Sequence, residues 1–155
     1  MRRSSQLACI ILLSSVSIAS AQTAAEKAKL ARTMWSAFQC GTYAEMSDNV
    51  KEQARLFNLG LSAGREVLDA IQKGQIPPEV VSKEVPVLVA LSLQGPSIDF
   101  IIGNIFAHAM GDAFDDIVKT ENGVTLGPSQ WINDNELRKS KAQTKYLQGN
   151  CVLLK

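Results

Sequence analysis

The chain has 155 residues, 46% hydrophobic and 20% charged, which fits one domain and argues against two. Those fractions exclude disorder or a collagen-like main state. Sixteen Lys and Arg against 15 Asp and Glu give no electrostatic case for nucleic acid, and three cysteines with one histidine leave little for a dedicated zinc site.

Residues 1–21 read as a cleaved export signal. Arg2 and Arg3 form the positive end, Leu7 to Leu13 the apolar stretch, and Ala19-Ser20-Ala21 the small-residue cleavage site. The apolar run is short for a bilayer span and serines interrupt it, so no stable membrane anchor is expected after cleavage. Loss of Arg2 and Arg3 leaves 14 basic against 15 acidic residues, and loss of Cys9 leaves Cys40 and Cys151. An even cysteine count in an exported chain predicts one Cys40–Cys151 disulfide. The mature chain has no Asn-x-Ser/Thr acceptor, which favours a periplasmic location over a eukaryotic secretory one.

Residues 22–155 predict a single all-α domain of four to six helices. Thr23 to Gln39 is rich in Ala, Lys and Glu, all good helix formers. Thr42 and Glu45 offer a capping box, so a break near Cys40-Gly41 competes with one long bent helix. Next, Val50, Ala54, Phe57, Leu61, Gly64, Leu68 and Ile71 keep a 4,3 spacing that predicts a helix seam, closed by Gly74 and Pro77-Pro78. Gly60 and Gly64 within it admit a close neighbour, either inside the fold or across a dimer contact. Residues 80–93 are apolar enough for a buried strand or for a helix opened by Pro86; with no partner strand in view, helix is favoured.

After Gly95-Pro96-Ser97, a helix is expected from Ile98 to Lys119, with Ile98, Ile102, Ile105, Phe106, Ala109, Ala113 and Ile117 on its inner side. Asn122-Gly123 marks a turn, and Trp131 lies in a Gly/Pro loop, as an exposed binding anchor or as a lid over the core. The last helix starts with Asn133 and Glu136 and stops at Gly149. It has few apolar residues, so a tether from Cys151 to Cys40 would hold it in place.

Candidate chemistry is sparse. His108, Asp112 and Asp115 fall at i, i+4 and i+7, a spacing that can present an imidazole and two carboxylates to a divalent metal. The alternative is a solvated helix face. No Gly-x-Ser-x-Gly elbow or phosphate-cradling loop is present, and Cys40 is expected to be oxidised. Residues 99–121 carry five acids against Lys119, whereas residues 134–155 carry Arg138, Lys139, Lys141, Lys145 and Lys155 against two acids. Docking of the basic helix on the acidic one is expected, with an acidic partner or anionic surface as the alternative. No cofactor is expected.

The resulting expectation is a periplasmic or secreted protein that acts non-enzymatically by binding a protein partner or a second copy of itself. Gly60, Gly64 and Trp131 are its candidate interface. An inhibitor or immunity-type protein is one concrete form. A divalent-metal protein using His108, Asp112 and Asp115, and a periplasmic stress chaperone, are the alternatives.

Overall fold

The computed structural model describes the backbone from residue 15 and side chains from residue 23, through Lys155. Most of the export segment therefore lies outside the described residues. Six helices follow: α1 (Ser15–Met46), α2 (Val50–Gln72), α3 (Pro78–Glu84), α4 (Val87–Leu91), α5 (Ile98–Val118) and α6 (Asn135–Gln148). A two-residue hairpin, β1 (Thr120–Glu121) and β2 (Val124–Thr125), sits after α5, and short 3-10 turns precede and follow α6. Among the described residues no helix is long and apolar enough to cross a membrane.

The core lies between α1, α2 and α5. Ala28, Ala31 and Ala37 are fully buried on α1, and their small side chains let neighbouring helices approach closely. Met34 and Phe38 on the same helix supply the bulk between them. Ile101, Ile102, Ile105 and Ala109 of α5 close the cluster, and Ile76, Val85 and Val89 extend it under α3 and α4. No break occurs at Cys40-Gly41. The buried Thr42 hydroxyl donates to the Phe38 carbonyl at 3.1 Å, which uses the group a cap would need, and α1 continues to Met46.

The buried face of α2 is rotated from the predicted seam. Leu56, Gly60, Ala63, Val67 and Ala70 face inward together with Gly64 and Leu68, while Val50 and Phe57 are exposed. Two apolar stripes run side by side on this helix, and the one with the smaller residues fits against α1. Asn49 caps α2 by accepting from the Glu52 amide, and Gly74 ends it with φ +66°, a conformation that glycine adopts without a Cβ penalty.

Residues 80–93 form no strand. Pro78 opens α3 as its first helical residue, and Pro86 sits at the start of α4, so the two prolines divide the apolar run into two short helices. Ser97 caps α5 by accepting from the Phe100 amide at 3.2 Å. Asn122 and Gly123 both have positive φ, which suits the tight turn of the hairpin. The cap of α6 is Asp134, one residue beyond the predicted start; its carboxylate accepts from the Leu137 amide at 2.8 Å, while Asn133 accepts from Arg138.

Cys40 and Cys151 form a disulfide between α1 and the turn after α6, with Cα atoms 5.6 Å apart and 111 residues between them in sequence. Beside it Tyr146 and Leu56 pack with Ala44. Arg55 of α2 closes this end: it donates to the carbonyls of Leu154 and Cys151 at 2.7 and 3.1 Å, and it pairs with Glu52 at 2.8 Å. Tyr146 donates its hydroxyl to Glu52 as well, at 2.5 Å. The basic helix does dock on the acidic one: Lys145 pairs with Asp116 at 2.8 Å, and Lys139 pairs with Asp48 in the α1–α2 turn.

Candidate functional site: the outward face of α5

The predicted metal triad is not assembled. His108 and Asp112 are exposed on α5, but Asp112 accepts a hydrogen bond from the Gln39 amide, and Asp115 is paired with Lys119 at 2.6 Å. Helical spacing placed the three residues along one side of α5. The carboxylates are engaged separately, Asp112 by Gln39 of α1 and Asp115 by Lys119 one turn along its own helix. Among the described residues no group of three or more His, Cys, Asp or Glu side chains is arranged to hold a metal ion.

Asp116, one residue further along, faces inward. It accepts from the Tyr43 hydroxyl at 3.1 Å and from the Lys145 ammonium at 2.9 Å, tying α1, α5 and α6 together. Burial, and then the Asp116 charge, hold the Tyr43 phenol well above the ordinary tyrosine range, so it stays a hydrogen-bond donor. A polar cleft beside this network is lined by Lys141 and Lys145, but Lys141 already donates to the Thr120 carbonyl. Both cations are held within the fold.

Two of the three predicted interface residues are internal. A Cβ at Gly60 would fall inside the van der Waals shell of the Phe38 ring, and one at Gly64 would stand 2.7 Å from Met34 Sδ. The glycine step on α2 therefore serves the packing of α1 and α5. Trp131 is partly covered: its indole N–H points to the Leu126 carbonyl, and the Lys119 ammonium lies 4.9 Å from its ring centroid.

What the sequence reading missed is a second stripe on α5. Ile101, Ile102, Ile105, Ala109, Ala113 and Ile117 are buried, whereas the opposite side carries Phe100, Gly103, Ala107, Gly111 and Phe114, all exposed. At about 100° per residue these five lie within about 40° of one line. Phe100 is 57% exposed, and Met110 and Phe114 are each 39% exposed. A Cβ added at Gly103 or Gly111 would meet nothing within 4 Å. One edge of the stripe, at Met110, adjoins Phe106, which packs edge-on against Phe38 and Phe57 at 5.2 and 5.5 Å. The other edge carries Asn104 and His108.

The signal was present in the sequence. Phe100, Gly103, Ala107, Met110 and Phe114 keep the 3,4,3,4 spacing of a helix seam, and the stripe becomes visible once the inner set has been removed. A contiguous exposed apolar stripe of this kind is a candidate contact surface. No known protein family, curated protein or solved structure matches this chain.

Proposed function

We propose that the chain is an exported, non-enzymatic protein that works by binding another polypeptide on the outward face of α5. The observation that carries this reading is the exposed Phe100–Phe114 stripe, set opposite the face of α5 that fills the core. Small residues between two exposed aromatics let a partner helix approach the middle of this face closely while the aromatics contact it at both ends. Support for export comes from the composition of residues 1–21 and from the Cys40–Cys151 disulfide, which persists in an oxidising compartment. An inhibitor or immunity-type role is a specific form of this activity.

The test is recovery of the protein from envelope extract, in the wild-type form and as Ala107→Glu. Residue 107 faces solvent, so the charge leaves the core intact while interrupting the stripe. A stoichiometric complex held by wild type and lost in the variant is expected. A complex unaffected by the substitution, or none at all, contradicts the proposal.

A further inference from the structure

Resting on the binding reading above, we infer that the polypeptide seated on α5 is a second copy of this chain, with the two α5 helices paired antiparallel about a twofold axis at Ala107. The exposed stripe is palindromic. Phe100 and Phe114 stand seven residues either side of Ala107, and Gly103 and Gly111 four residues either side. In an antiparallel pair each level of one helix meets the mirrored level of the other. Phe100 thus lies level with Phe114 of the second copy and Gly103 level with Gly111, while Ala107 meets its own equivalent on the axis. Small residues fill the middle, where helices packed about 8–10 Å apart need room, and aromatics fill both ends.

The flanks decide the direction. A twofold across antiparallel helices brings the same edge of each together. Phe106 and Met110 of one copy then meet Met110 and Phe106 of the other, a sulfur–aromatic contact continuous with exposed Phe57. Asn104 and His108 meet His108 and Asn104, polar against polar. Parallel pairing would set the polar edge of each copy against the apolar edge of the other. Asp99 and Asp115 lie beyond the two ends, and each already holds a cation, Arg65 at 2.9 Å and Lys119 at 2.6 Å, so neither end brings in an unpaired charge.

The stripe spans fourteen residue steps, about 21 Å of helix. A contact confined to one helix pair of that length is small, and small interfaces are weak, so the dimer is expected to dissociate on dilution. Sedimentation equilibrium of the oxidised protein, from micromolar to about 200 micromolar, is the experiment. Wild type is expected to shift to the dimer mass across this range. Ala107→Glu and Ala107→Lys each place like charges against each other at the axis and weaken association by about a hundredfold, with unchanged circular dichroism. An equal mixture of the two variants restores the dimer, because residue 107 of one copy touches residue 107 of the other. Ala107→Cys joined to its equivalent by a short thiol crosslinker reports the same contact without adding charge. Wild type that stays monomeric, a dimer indifferent to both charges, or a mixture that fails to reassociate overturns the inference. A monomer that still holds a different protein, released by Ala107→Glu, overturns self-pairing and leaves the binding reading standing. A monomer that holds nothing removes both.

Discussion

The Phe38 ring occupies the space that a Cβ on residue 60 would fill. This contact joins α1 to α2 across the centre of the fold, and Phe38 continues from it into edge-on contact with Phe106 of α5. Gly60→Ala therefore sets two terms against each other. Helix propensity gains up to about 1 kcal/mol, while displacement of a buried ring in a close-packed core costs about 1–3 kcal/mol. A lower melting temperature is expected. An unchanged or raised one shows that the ring moves aside without cost.

The Cys40–Cys151 bridge closes most of the domain into a loop. In the chain-entropy account a loop of this length is worth about 4–5 kcal/mol, and α6 buries only Ala142 and Tyr146, its other ties being partly exposed polar pairs such as Lys145–Asp116. Reduction, or Cys40→Ser with Cys151→Ser, should lower stability by about that amount. Amide exchange should rise most in α6 and the turn after it, while α2 stays protected. Loss spread evenly over all helices would contradict the view of α6 as a tethered element.

Glu52 makes the fold sensitive to acid. Hydrogen bonds from Arg55, and then from Tyr146, lower its carboxyl from the ordinary 4.5 to about 2. Because the folded value lies below the unfolded one, its stabilisation is complete above about pH 4.5 and is lost as pH falls towards 2. The amount is about 1–3 kcal/mol once solvent screening is allowed for. Glu52→Gln should flatten this limb of the stability profile, measured by urea unfolding between pH 2 and pH 6. An unchanged slope assigns the acid sensitivity to other carboxylates.

Much of the fold was legible in the sequence, for local reasons. Asn122-Gly123, Gly74 and Pro77-Pro78 impose backbone conformations whatever surrounds them, and all fall where expected. The disulfide followed from the cysteine count once Cys9 is set aside with residues 1–21, and the docking of α6 on α5 from opposite charge. The sequence left two outcomes open, or favoured the wrong one, where the outcome depends on tertiary neighbours. Thr42 was free to cap a new helix or to bond back to Phe38, and packing on α2 and α6 keeps α1 continuous. On α2 two stripes competed, and the shape of Phe38 selected the one containing Gly60. The site was least legible, because a stripe such as Phe100–Phe114 is assigned to the core unless another face of the same helix is known to fill it. His108, Asp112 and Asp115 had suitable spacing, yet Gln39 and Lys119, distant and near in sequence, determine what the two carboxylates do.

Native mass spectrometry of the protein taken from the cell envelope, without reductant, tests the central claim most directly. The account predicts a chain beginning at Gln22, two hydrogens lighter at the disulfide, associated with a second polypeptide and released from it by Ala107→Glu. A bare monomer still carrying residues 1–21, unchanged by that substitution, would contradict it.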